Sequence, residues 1–307
     1  MTEGSRAPRL GIDLGGTKIA GIALGTGDRI LAEHRAPAPR EDYAQTIAAI
    51  GAMVLHLEQV AGAAGSVGVG MPGSISPATG LAQNANSTWL NGQALARDLE
   101  AYLKHPIRLA NDANCFALSE AADGAGIGAR SVFGVILGTG CGGGLVYGGH
   151  LIDGPNSIGG EWGHNPLPWA TGDEHPGPRC WCGRRGCLET WLSGPGLEAD
   201  HLRATGSRLA AEDIAAHAAS GDAPTQATLD RHASRLARGL AHVVNVFDPE
   251  VIVLGGGLSK LAHLYEVLPG LVAPHVFADA PRVAVKPPRW GDASGVRGAA
   301  RLWAAEH

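Results

Sequence analysis

Three cysteines within eight residues, Cys180, Cys182 and Cys187, stand downstream of His164. Three thiolates and one imidazole make a closed tetrahedral set for zinc, and a closed set leaves no position for a reacting water, so such a metal is structural. Gly183 and Gly186 supply the turns of the knuckle. The competing reading, three unrelated thiols, is disfavoured by the spacing. A second cluster, Asn111-Asp112-Ala113-Asn114, follows the apolar run Ile107 to Ala110. A carboxylate at the end of a buried strand sits where α/β sheets place ligands. It can take the proton of a hydroxyl group as that oxygen attacks phosphorus. Asn111 can donate to a neighbouring hydroxyl; the alternative for both residues is helix capping, which Asp and Asn favour.

Phosphate chemistry has its own candidates. Asp13 precedes Gly15, Gly16, Thr17 and Lys18. A glycine turn lets successive N–H groups face one concavity that accepts phosphate oxygens, and Asp13 suits a hydrated magnesium ion. A plain hairpin turn is the alternative, because the longer loop of a Walker-type site is missing. A second turn, Gly138-Thr139-Gly140-Cys141 with Gly142, Gly143 and Gly144, resembles the first, and the two can grip a polyphosphate from opposite sides. A third cluster, Gly255, Gly256 and Gly257, follows an apolar run and leaves room for a purine against the backbone. Glu161, His164 and Glu189 are acceptors and donors of the kind a polyol needs. With one His164 nitrogen on zinc, the other is left for a hydroxyl. Each glutamate reads otherwise as a solvated surface residue, and Cys115 and Cys141 as small buried residues.

The elements that must carry these groups follow from periodicity. Leu10 to Leu14 and Lys18 to Leu24 predict a hairpin, with a third strand over Arg29 to Arg35. Ile47, Ile50, Val54, Leu57 and Val60 predict a helix over Tyr43 to Val60. Strands are expected at Val67 to Met71 and Ile107 to Ala110, and helices at Leu95 to Leu103 and Ala113 to Ala122. The pattern then restarts: a strand at Val132 to Leu137, a glycine turn, a strand at Leu145 to Tyr147, helices at Leu209 to Ala219 and Arg235 to Val246, a strand at Val251 to Leu254, and a helix from about Leu258. The repetition points to an internally duplicated α/β chain whose halves flank a cleft. The expected domains are 1–127 and 128–293, the second carrying the knuckle, with a terminal helix over 294–307 packing back on the first.

The formal net charge of −5 and the absence of a basic run argue against a nucleic-acid partner. No apolar stretch approaches the length that crosses a bilayer, and Met1 to Pro8 lacks the apolar centre of a signal peptide. A cytoplasmic protein is expected, and in a reducing compartment a cysteine cluster reads as metal before disulfide.

Taken together, and in this order along the chain, the Asp13–Lys18 hairpin, Asn111–Asn114, the Leu137–Gly144 turn, Glu161–His164, the Cys180–Cys187 cluster with Glu189, and Leu254–Ser259 resemble the ROK family of sugar kinases. The resemblance implies an actin-like ATPase (ribonuclease H-like) fold, ATP and magnesium, a structural zinc, a homodimer and Asp112 as base. It also implies sugar contacts from Asn86, Asn111, Glu161, His164 and Glu189. The segments Gly73–Pro77, Asn84–Gly92 and Glu161–Trp169 look most like the fructokinases of the manno(fructo)kinase type. They imply fructose, then mannose, phosphorylated on the C6 hydroxyl, with Trp89 filling the space an acetamido group needs. The alternatives are an N-acetylglucosamine or N-acetylmannosamine kinase, or a glucokinase. ROK regulators share this core but carry a helix-turn-helix segment ahead of it; with the first strand expected by Leu10, that class is disfavoured.

Overall fold

Apolar runs punctuated by glycine become strands throughout the chain. The computed structural model describes residues 7–303, so residues 1–6 and the end of the expected terminal helix, 304–307, lie outside the described residues. Contacts divide the chain into two units: Met1–Glu120 with Leu151–Gly159 and Asp292–His307, and Ala121–His150 with Gly160–Gly291.

In the first unit β1 (Arg9–Leu14), β2 (Lys18–Leu24) and β3 (Ile30–Pro37) form an antiparallel meander. The helix α1 (Tyr43–Ala61) is capped by Asp42, whose side chain accepts from Gln45 N–H. It buries Ile47, Ile50, Val54 and Leu57 as its spacing requires. Next come β4 (Ser66–Met71), a small hairpin of β5 (Ser74–Ile75) and β6 (Ala82–Gln83), and α2 (Leu95–Leu103). The strand β7 (Ile107–Asn111) then runs straight into α3 (Asp112–Ala122). The sheet order is β3-β2-β1-β4-β7, with β4 parallel to both β1 and β7.

The second unit repeats this plan. The strands β8 (Ser131–Leu137), β9 (Cys141–Tyr147) and β10 (His150–Leu151) are followed by the helices α4 (Glu189–Leu192), α5 (Gly194–Thr205), α6 (Ala211–Ala219) and α7 (Ala223–Phe247). The chain continues through β11 (Val251–Gly255), α8 (His263–Val272) and β12 (Val285–Lys286). Its sheet order, β10-β9-β8-β11-β12, again places an antiparallel hairpin beside parallel strands. The expected turn after β8 is shorter than its glycines suggest: β9 starts at Cys141, so Gly142, Gly143 and Gly144 are ladder residues paired with Ile136, Val135 and Gly134. A Cβ at Gly143 would meet the rings of Phe133 and Trp162 at 2.7–2.8 Å. Those rings take the place of its side chain, which is why a glycine run is a strand here.

The last helix, α9 (Ser294–Arg301), packs on β1 and β4 of the first unit. Added Cβ atoms on Gly11 and Gly68 would lie 1.9 and 2.0 Å from carbonyl oxygens of α9. The two glycines therefore admit the helix backbone directly onto the sheet. Among the described residues no helix is long and apolar enough to cross a membrane.

Candidate functional site

Parallel strands put their C-terminal ends on one edge, and three neighbours of the first sheet deliver their polar residues there. Asp13 ends β1 in register with Gly70 of β4, and Met71 pairs with Asn111 of β7. Gly70 stands between Asp13 and Cys115, and an added Cβ there would lie 3.7 and 3.3 Å from their side chains. Asn111 donates Nδ2 to Gly73 O (3.1 Å) and accepts from Ala113 N–H at 2.9 Å. Asp112 Oδ1 accepts from the same N–H at 2.8 Å. Asn111 is thus the last residue of β7 and Asp112 the first of α3, and both side chains accept the N–H of Ala113 in the helix's first turn.

The electrostatics favour a proton acceptor. Burial raises the Asp112 carboxyl above the ordinary aspartate range, opposed by the N–H groups of Ala113 and Asp112 and by Asn111. Asp13 is pushed up to about 7, first by burial and then by the Asp112 charge, with Lys18 opposing. Two carboxylates that resist ionising together form a hard-oxygen set that a divalent cation would relieve. In the turn beside them Gly15 N–H bonds Lys18 O (3.0 Å), while Gly16, Thr17 and Lys18 are exposed and Lys18 lies 3.7 Å from Asp292.

Asn86 is exposed on the loop after β6, and among the described residues no hydrogen bond links it to Asn111 or Asp112. The loop is pinned by Asn91, which exchanges two 2.9 Å hydrogen bonds with the backbone of Ala85. Trp89 turns elsewhere: its indole N–H points to Thr46 Oγ1 of α1 at 3.3 Å, and its ring packs on the first unit's core. Its segment therefore packs against α1.

The second unit gathers the remaining candidates in two places. Gly138, Thr139 and Gly140 form a turn closed by Gly138 N–H on Gly140 O (3.0 Å). Gly256, with φ +79°, would bring a Cβ within 2.5 Å of Leu137 O, so the Gly255–Gly257 cluster lies against that turn. Nearby, His164, Cys180, Cys182 and Cys187 hold their ligand atoms within 4.8 Å of one another. Cys180 Sγ is 3.6 Å from His164 Nδ1, and Cys182 Sγ is 3.6 Å from Cys187 Sγ. A tetrahedron with Zn–S bonds of 2.3 Å has edges of about 3.8 Å, so the donor set fits zinc in chemistry and in size.

Glu161 directly precedes the short helical turn Trp162–His164, with no capping hydrogen bond from its side chain. Buried Trp162 fixes that turn by donating to Gly142 O (2.9 Å) and packing edge-on against Phe133. Glu189 is not a solvated glutamate: Oε2 accepts from Cys141 N–H (3.0 Å) and Oε1 from Trp181 Nε1 (2.6 Å). Trp162 and Trp181 were not singled out from the sequence. The signal for both was their place, one beside Glu161 and the other between two cysteine ligands.

Known proteins align with this arrangement end to end. The ROK family profile matches residues 9–306. The chain is 40% identical over 296 residues to the N-acetyl-D-glucosamine kinase of Photobacterium profundum, covering 95% of this chain and 98% of that protein. A ROK hexokinase from Thermus thermophilus superposes with a TM-score of 0.84 at 32% identity, over 95% of this chain and 96% of that one. A ROK family glucokinase from Streptomyces griseus, solved with glucose and AMPPNP, does so with a TM-score of 0.76 at 27% identity, over 96% and 98%. With its duplicated sheets, its carboxylates at the strand ends and its cysteine knuckle, the chain belongs to the ROK family and has the actin-like ATPase fold of that family's sugar kinases.

Proposed function

We propose that this chain transfers the γ-phosphoryl group of ATP to the C6 hydroxyl of N-acetylglucosamine, with Asp112 as general base. The chemistry rests on Asp112: a carboxylate directly after β7, raised by burial above its ordinary range, is suited to take a hydroxyl proton. The acceptor rests on the 40% identity, over nearly the whole chain, to an N-acetyl-D-glucosamine kinase. Asn86, Asn111, Glu161, His164 and Glu189 are the proposed sugar contacts. The turns at Gly15–Lys18, Gly138–Gly140 and Gly255–Gly257 are the proposed ATP contacts. Asp13 would hold magnesium with ATP, and the ion would supply charge neutralisation at the phosphates. A cytoplasmic location and a homodimer belong to this reading.

A coupled ADP-release assay over N-acetylglucosamine, N-acetylmannosamine, glucose, mannose and fructose tests the acceptor. Turnover of N-acetylglucosamine is expected to exceed that of fructose by about tenfold or more in kcat/KM, the scale on which one well-fitted substituent discriminates. Equal or faster turnover of fructose would return the acceptor to the fructose and mannose class.

Zinc at His164, Cys180, Cys182 and Cys187 is part of the same proposal, as a clasp that holds the knuckle and orients His164. Metal analysis is expected to find one zinc per chain. Cys182→Ser is expected to weaken zinc binding by at least the 10–100-fold typical of losing even an outer partner, that is about 10-fold or more. A chain that folds and turns over at full rate without zinc would remove the clasp.

A further inference from the structure

Both oxygens of Glu189 have protein donors before any substrate arrives. Oε2 accepts from Cys141 N–H, the first residue of β9 after the Gly138–Gly140 turn, and a Cβ on Gly140 would lie 2.8 Å from the same oxygen. Oε1 accepts from the indole N–H of Trp181 at 2.6 Å. Trp181 stands between the ligands Cys180 and Cys182, and its ring meets His164 edge-on at 5.0 Å and 86°. It is 59% exposed, so burial does not account for its placement. Its polar atom does: the N–H reaches the glutamate that touches the turn.

We propose that Trp181 is a positioning residue that fixes the Glu189 carboxylate, and through it couples the knuckle to the second glycine turn. An ionised carboxylate has about four acceptor directions. Two fixed donors set its plane and leave the other directions for hydroxyl groups. The coupling to the turn stands on the hydrogen bonds alone; the effect on sugar binding also rests on the kinase reading above.

Trp181→Phe keeps an aromatic ring, smaller than the indole, beside His164 and deletes the donor. In the zinc-loaded full chain, amide hydrogen exchange across residues 138–142 is expected to rise several-fold. The KM for the sugar is expected to rise about tenfold, the loss typical of one hydrogen bond to a charged group, with a smaller change in kcat. Zinc content and Tm stay as in the wild type, because the residue is exposed and its ring contact is retained. Unchanged exchange at 138–142 with zinc and Tm intact overturns the proposal, and so does a variant that loses its zinc, since Trp181 then serves the knuckle alone. A wild-type chain silent on every sugar sinks the kinase reading instead, while the exchange measurement still decides the role of Trp181.

Discussion

Asp112→Asn is expected to lower kcat by about 10³-fold while leaving the protein folded, within the range that removing a general base costs. In barrier terms this is about 4 kcal/mol. The isosteric amide keeps Oδ1 for the Ala113 N–H that starts α3, so local structure survives, but it cannot take the proton of an attacking hydroxyl. Stability should not fall with activity. Burial raises the folded-state pKa of Asp112 above its unfolded value, so above the unfolded pKa the ionised carboxylate costs the fold free energy that the amide does not. The variant's Tm should therefore equal or exceed that of the wild type at neutral pH. In the wild type the acid limb of kcat/KM should lie above the ordinary aspartate range, because activity is lost as Asp112 gains its proton. A variant with turnover within tenfold of wild type would reduce Asp112 to the capping role.

How much of this was legible beforehand divides along the range of the forces involved. The cluster of Cys180, Cys182 and Cys187 lies within eight residues and could be read from spacing as a set that gathers, because the turns that bring it together are local. Asp112 could be placed because an apolar run feeding a polar pair already describes a strand end. Long-range packing hid the rest. The Gly142–Gly144 run looked like a turn, since nothing in it reveals that Phe133 and Trp162 fill the space above the strand. Nothing around Trp89 reveals that Thr46, forty-three positions away, takes its indole N–H.

The helix α7 shows the same limit. Only Arg235 to Val246 was expected, whereas the helix starts at Ala223, after an Asp222 cap that accepts from Thr225 N–H. Its buried face carries Thr228, His232, Arg235 and Arg238 where apolar residues should mark the period. Buried polar residues on that scale require partners, and these come from elsewhere: Leu192 O for His232, and Asp200 and Glu174 for the arginines.

That buried network carries the second large prediction, because breaking one side of it strands the other. Glu174 is 8% exposed and accepts from Arg235 Nε at 2.8 Å, from both terminal nitrogens of Arg238 at 2.7 and 2.8 Å, and from Thr171 N–H at 3.0 Å. Arg238 also donates to Trp169 O (2.9 Å), so the segment leading to the cysteine cluster is fastened to α7 through these groups. Arg235 keeps Asp200 (2.7 Å) and lies 4.4 Å over the ring of Trp191 if Glu174 is removed. Arg238 keeps only backbone carbonyls. Glu174→Ala should accordingly cost about 3 kcal/mol, the lower end for an uncompensated buried ion pair, and lower Tm by about 5 °C in a chain of 307 residues. The pH dependence gives the test its sign. Burial opposes ionisation, but Arg238, Thr171 N–H and Arg235 together push the carboxyl from 4.5 down to about 2. The stabilisation is thus complete above the unfolded value and is lost as pH falls towards the folded one. Wild type and variant should differ most above pH 4.5 and converge between there and pH 2. A constant gap across that interval would mean that Glu174 acts by packing rather than by charge. Glu174→Gln separates the two further: it keeps the shape and one acceptor oxygen, so it should lose less stability than Glu174→Ala and show a flatter pH profile than the wild type.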